Sequence, residues 1–224
     1  TPVNDADVPT LAVTPVGRWT FDESSGTTTR DAYNAQTGTL SDDSPAPAVV
    51  PTWTTGHTGT SGSGLHFDGN GAFVALPATA TTPLLGTSSL TFWIKTTQTG
   101  ASAAWDAPAV IASEHSGSGN DIQWGTLNQN GQIGFDLGNV PGVYSTTAIN
   151  DDAWHAVAIT RDATSGLVSI YVDGVLEATG SPADPKFTGL LDRLAGFGTT
   201  NIFANNAGLT DLPDNRFLNA DLDD

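Results

Sequence analysis

From about Val16 onward the chain alternates short apolar runs with clusters of Gly, Ser, Thr, Asn and Asp. The runs are VGRWTFDE, GLHFDGNGAFVALP, SLTFWIKTT, APAVIASE, IQWGTLN, QIGFDLG, WHAVAITRD, GLVSIYVDG and VLEATG. Within them the period is two. Leu90, Phe92 and Ile94 are separated by Thr91 and Trp93, Val157 and Ile159 by Ala158, and Val168, Ile170 and Val172 by Ser169 and Tyr171. That spacing predicts half-buried antiparallel strands. RDATSG is polar and ends in Gly, which suits a loop, and Asp173-Gly174 suits a two-residue hairpin because both tolerate a positive φ. Residues 154 to 179 are therefore predicted as a three-stranded meander. In TGLLDRLAGF, Leu190, Leu191 and Leu194 have helical spacing, and a short helix and a strand both fit. The three Pro residues of TPVNDADVPTLAVTPVG block regular pairing, so residues 1–15 are expected to be an extended linker or the end of a preceding repeat. Residues 16–224 are expected to form one all-β domain.

Composition narrows the possible partners. The chain has 224 residues and a net charge of -17; 21 of its acidic residues are Asp and three are Glu (Glu23, Glu114 and Glu177). Asp favours turns and binds hard cations, whereas Glu favours helices, so the imbalance speaks for loops and oxygen-ligand chemistry. An acidic surface repels phosphate backbones and anionic lipid heads, which argues against nucleic acid and membrane partners. The absence of Cys excludes thiolate catalysis, zinc-thiolate sites and disulfides. No run of 18 apolar residues is present to insert into a bilayer. These features suit a secreted or bacterial cell-surface protein, and the lack of any Met suggests excision from a longer exported precursor.

The segments WTFDESSGTTTRDAYNAQTGTL, GLHFDGNGAFVALP, SLTFWIKT, NDDAWHAVAITRDATSGLVSIYVDGVLEATG and FLNADLDD together resemble the bacterial laminin-G-like, concanavalin A-like lectin domain. The resemblance runs in the family's order from about residue 17 to 224, and it implies a jelly-roll sandwich of two antiparallel sheets with one concave face, a Ca²⁺ ion, and binding of glycan or protein. PVNDADVP also resembles the junctions between repeats of large bacterial surface adhesins. One departure stands out. The family continues from the final Asp-Asp into a further strand, so the sheet is expected to be completed by residues after Asp224 or by another segment.

Candidate chemistry follows. His155 lies beside Trp154 at the start of what the family makes a core strand, and no Ser or carboxylate accompanies it in a triad or dyad pattern, so a structural role is expected. No HExxH-like pair exists among the four His residues. Glycan hydrolases of related folds project two carboxylates from one strand in an E-x-D-x-x-E spacing; that pattern is absent, and a non-catalytic domain is expected. Trp19, Trp93 and Trp154 lie in strand patterns that suit the core or the sheet surface. For Trp53, Trp105 and Trp124, in looser surroundings, sugar binding and packing are both open.

The Gly/Ser-rich loop SEHSGSGNDIQWG, residues 113–125, and the Asn/Asp-rich segment of residues 201–217 are the sharpest loop signals. If the strand order follows the family, the first loop, Asn139 and residues 201–206 converge at one rim of the sandwich. Asn120 and Asp121 are then the leading polar contacts, Trp124 a stacking surface, and His115, Asn201 and Asn205 further ligand contacts. For the Ca²⁺ ion, the resemblance implies Asp22 or the Glu23 carbonyl near the start and Asp224 or Asp223 at the end, with Asp31 and Asp121 further candidates. The function expected is that of a calcium-dependent lectin module of a bacterial surface adhesin, attached to extracellular glycan or glycoprotein and flanked by neighbouring domains. A non-catalytic spacer or protein-binding domain of the same fold is the alternative, and a glycan hydrolase is a further one.

Overall fold

The computed structural model of the chain describes residues 15–42, 49–100, 107–113, 122–137, 140–182, 201–202 and 217–224. Among the described residues the strands form two antiparallel sheets. One consists of β1 (Thr28–Arg30), β2 (Thr37–Asp42), β5 (Ala72–Ala75), β14 (Asn201–Ile202), β7 (Ile111–Ser113), β8 (Ile122–Leu127), β9 (Gln132–Leu137) and β10 (Val143–Ala148), in that spatial order. The other runs β13 (Val175–Gly180), β12 (Val168–Val172), β11 (Trp154–Arg161), β6 (Ser88–Lys95), β15 (Asn219–Asp223), β4 (Gly59–Asp68) and β3 (Thr52–Gly56). A four-residue helix, α1 (Ala78–Thr81), and a single 3₁₀ turn (Thr82–Leu85) connect β5 to β6. The architecture is a jelly-roll sandwich, as the resemblance implied, and its strands are antiparallel, as the alternation implied. Among the described residues no helix is long and apolar enough to cross a membrane.

Period-two patterning decides which side chains fill the space between the sheets. In the seven-stranded sheet Val157 pairs with Phe92 and Val172, and Ile159 with Leu90 and Ile170, while Leu222 joins the same face from β15. From the facing sheet come Ile122, Trp124, Leu127, Ile133, Phe135 and Leu137, all within one buried cluster. Burial of this kind stabilises by roughly 25 cal/mol per Å² of apolar surface removed from water. Arg161 also points inward: its Nη1 donates to the carbonyls of Leu85 (2.7 Å) and Gly86 (3.2 Å), and its guanidinium lies 6.0 Å from the Phe135 ring centre. Burial lowers its pKa.

The meander of residues 154–180 forms as expected, with Asp173 (φ 51°) and Gly174 (φ 79°) in the left-handed conformation that closes a tight hairpin. His155 is a strut in it. Its Nδ1 lies 2.8 Å from Asp173 and its Nε2 3.1 Å from Asp151, tying the start of β11 to the β12–β13 turn. Burial works against its charged form, but the hydrogen bonds to Asp173 and Asp151 outweigh this and raise its pKa. A raised histidine pKa contributes stability that is present below the ordinary value and is lost as pH rises through the folded value. We expect His155→Gln to flatten the pH dependence of the melting temperature across that window. An unchanged slope in the variant would show that His155 does not couple to folding.

One expectation is corrected. VGRWTFDE, read as a strand, makes only a single bridge, Trp19 to Asp31. Phe21 (φ 53°) and Ser24 (φ 60°) turn the chain there. The buried Asp31 carboxylate holds the entry by accepting the backbone N–H groups of Arg18 (3.0 Å), Tyr33 (2.9 Å) and Asn34 (3.1 Å). The closing Asn-Ala-Asp-Leu-Asp is β15, hydrogen-bonded on both sides between β4 and β6. Arg18 then clasps Asp224 with two contacts of 2.6 Å. The VYSTTA strand, β10, was not anticipated, because Ser145, Thr146 and Thr147 in succession break the apolar alternation. The TGLLDRLAGF segment lies outside the described residues.

Candidate functional site

β8, β9 and β10 carry polar side chains on the face turned away from the seven-stranded sheet. The register pairs Gln123 with Asp136, Thr126 with Gly134, and Gly134 with Tyr144, so Gln123, Thr126, Asp136 and Tyr144 share that face. A bulge makes this possible. Gly125 (φ 72°) is an extra residue in β8, and the register shifts between Trp124 and Thr126. Trp124 and Leu127 therefore both point inward although they are three residues apart, and Gln123 and Thr126 both point outward. A Cβ at Gly125 would press on the Val110 side chain at 2.7 Å, so the position needs Gly for space as well as for φ.

At the centre stands Asp136, 2% exposed. The Tyr144 hydroxyl donates to its Oδ2 at 2.6 Å, and its Oδ1 has no partner. Thr126 Oγ1 is likewise buried and without a hydrogen bond, although its hydroxyl lies near enough to favour the charged carboxylate. Burial is the largest influence and pushes the Asp136 pKa up to about 6 against the pull of Tyr144 and Thr126. Burial and then the Asp136 charge raise the pKa of Tyr144, which therefore stays a donor. Gly142 abuts Asp136 so closely that any side chain there would collide with the carboxyl group. A buried acceptor left open in this way is costly unless a further donor meets it. Retaining or inverting hydrolysis needs two carboxylates flanking the bond. Among the described residues this face presents one.

The strand ends that bound the segments expected at the rim are described, though the segments themselves are not. Ser113 pairs with Ile122, and Ile122 with Leu137, so the strand ends that bound residues 114–121 and 138–139 are neighbours. Asn201 opens β14, which runs antiparallel to β7; Asn201 is thus on the Ser113 side and Ile202 on the other. His115, Asn120, Asp121, Asn139 and Asn205 lie outside the described residues. Trp124 is corrected: it is 0% exposed, and its ring meets Phe135 edge-to-face at 4.7 Å, so it packs the core and offers no stacking surface. Trp53 also packs against the core, with its indole N–H donated to the Gly26 carbonyl. Trp105 lies outside the described residues, while Trp93 and Trp154 stand on the outer face of the seven-stranded sheet.

The acidic residues proposed for Ca²⁺ are engaged separately. Glu23 accepts from the Thr29 hydroxyl (3.1 Å) and the Arg30 N–H (2.7 Å). Asp31 holds its three backbone N–H groups, Asp223 Oδ2 takes both the backbone N–H (2.9 Å) and Nδ1 (2.7 Å) of His57, and Asp224 is bound by Arg18. Asp22 faces the Ser63 N–H at 3.4 Å. Among the described residues no group of three or more His, Asp or Glu is placed to hold a metal ion. The carboxylates of the described part of the expected set are thus each held by their own donors, and Asp121 lies outside the described residues.

Asp136 was legible only as an oddity, an Asp in mid-strand where that residue is disfavoured. Gln123 and Thr126 carried no signal, because their shared face depends on the bulge.

Two antiparallel sheets of this strand order, packed face to face, define a jelly-roll sandwich. The chain belongs to the concanavalin A-like lectin/glucanases superfamily, whose laminin-G-type model matches residues 68–224. Domain 4 of AbnA, an extracellular arabinanase from Geobacillus stearothermophilus solved with arabinotriose, is similar at 17% identity and a TM-score of 0.60, over 92% of this chain and 89% of that one. The Ruminococcus gnavus sialidase module CBM40 is similar at 13% identity and a TM-score of 0.47, over 71% and 84%. Mouse laminin α1 domains LG4-5 are similar at 14% and 0.42, over 60% and 33%. Among curated proteins none matches.

Proposed function

We propose that this chain is a non-catalytic carbohydrate-binding module that holds glycan on the outer face of its eight-stranded sheet. The carrying observation is the buried Asp136 carboxylate, oriented by Tyr144 and left with an open acceptor beside the Thr126 hydroxyl. On this reading a sugar hydroxyl supplies the donor that the Asp136 carboxylate lacks. The arabinanase domain of similar fold was solved with arabinotriose, which supports glycan as the ligand class. An extracellular setting in a bacterial surface adhesin agrees with the acidic, Cys-free composition and with the flanking linker. Neighbouring domains of a longer chain would then present the module. No step in this reading runs through a metal ion.

The test is titration calorimetry with arabino-, xylo-, cello- and sialyl-oligosaccharides, in Ca²⁺ and in EGTA. We expect binding of at least one, weakened about tenfold, or 1.4 kcal/mol, by Asp136→Asn and by Tyr144→Phe. Because the open acceptor must be ionised to bind a hydroxyl most strongly, affinity should rise between pH 5 and pH 7 as Asp136 passes its pKa of about 6. Binding that both variants leave intact would move the site elsewhere. Absence of binding to every glycan would favour a spacer domain. Loss in EGTA would assign an ion to ligands beyond the described acidic set.

A further inference from the structure

The outer face of the seven-stranded sheet holds a second feature, unconnected with Asp136. Along β11 the outward residues Ala156, Ala158 and Thr160 are small and partly exposed. On one side Trp93 stands opposite Ala156 and Thr91 opposite Ala158; on the other, Tyr171 stands opposite Ala158. The flanking strands β6 and β12 are both neighbours of β11, so the walls rise from backbones about 9.6 Å apart. The six residues also border one cavity, which extends to the inward-facing Phe92, Val157 and Leu222.

The Trp93 wall is braced. His57 stacks on its ring at 4.2 Å with an interplanar angle of 9° and is itself held by Asp223, whose side chain is 5% exposed. The cations around the trough are already engaged. Lys95 lies 3.6 Å from Asp152 and 3.8 Å from Asp221, and Arg18 is taken by Asp224. The trough itself presents an apolar floor, aromatic walls and the hydroxyls of Thr91, Thr160 and Tyr171, and the charges beside it, Asp223, Asp221 and Lys95 among them, are paired.

We propose that this trough binds a neutral polysaccharide chain. Sugar rings offer an apolar face to Trp93 and Tyr171 and hydroxyls to the Thr side chains, which is the mixture that the trough displays. A uronate, sulfated or sialylated chain finds no uncommitted cation among the described residues of this face and meets a protein of net charge -17. The same charge disfavours a second copy of this chain or an anionic membrane as occupant. The trough and the Asp136 cluster lie on opposite outer faces of the sandwich, so one molecule with both sites cross-links glycan chains. The trough stands whether or not the Asp136 face binds sugar.

Retention of the whole chain on immobilised arabinan, xylan and cellulose, with alginate as the acidic control, tests this. Ala158→Tyr fills the trough from the solvent side without touching the core, and Trp93→Ala removes a wall. Both should lower retention on a neutral polysaccharide about tenfold, the Ala158→Tyr protein keeping the wild-type melting temperature. Asp136→Asn should leave the trough-dependent part of that retention in place, which separates failure of this site from failure of the other. Tyr171→Ala, on the opposite wall, provides a third variant whose effect must agree. Failure of the wild-type protein to be retained on any neutral polysaccharide, retention on alginate alone, retention unaltered in Ala158→Tyr, or a dimer that Ala158→Tyr dissociates in light scattering would each overturn the proposal.

Discussion

Replacing Trp124 by Ala should lower the unfolding free energy by about 3–5 kcal/mol. Its side chain is among the largest fully buried ones in the domain, wedged edge-to-face on Phe135, and the strands on either side are fixed by their ladders and cannot close over the void. Trp124→Phe should cost much less, since it keeps a ring against Phe135 and deletes an indole N–H that has no partner. Equilibrium urea unfolding of the three proteins measures both differences. If Trp124→Ala unfolds at the wild-type midpoint yet loses glycan, Trp124 is a ligand contact after all and the packing argument fails.

The second large effect is a stability gain. Asp136 has its pKa raised from 3.8 to about 6 by burial, so the folded state holds its proton more tightly than the unfolded chain does. Stability attributable to this group is therefore greatest below about pH 4 and falls as pH rises to about 6, above which the loss is complete. Two pH units correspond to about 3 kcal/mol. Asp136→Asn keeps an acceptor for Tyr144 and removes the charge, so it should stabilise the protein by up to that amount at pH 8 and hardly at all at pH 3.5. The measurement is the pH dependence of the difference between variant and wild type. A difference that is the same at both pH values would show that the buried carboxylate is not a stored cost. A gain at pH 8 together with weaker glycan binding is the pattern of a group kept for function at the expense of stability.

How much of this was legible in the sequence depends on the range of the interaction involved. Alternation is local: each strand's pattern of apolar and polar positions reports which face is buried, so Leu90, Phe92, Ile94, Val157, Ile159, Ile170 and Val172 were assigned to the core from the chain alone. The Asp173-Gly174 hairpin was legible for the same reason, because a two-residue turn depends only on the φ preferences of its own residues. Period two also allowed Trp93 and Trp154 to be on the sheet surface, as they are.

What the sequence by itself determined, then, is the all-β sandwich, the meander of residues 154–180 and most of the inward-facing residues. Tertiary structure decided the rest. Gly125 looked like any strand glycine, yet its bulge reverses the facing of everything after it, sending Leu127 inward and placing Thr126 beside Gln123 and Asp136. Trp124 looked like a loop-border aromatic because its burial depends on Phe135 and on a second sheet distant in sequence. The donors that hold the acidic residues at the two ends of the chain, backbone N–H groups, His57 and Arg18, are set by turns and strand order that no local pattern encodes. Local periodicity reports what one strand prefers; facing after a bulge and the pairing of distant polar groups exist only once the sheets have closed on each other.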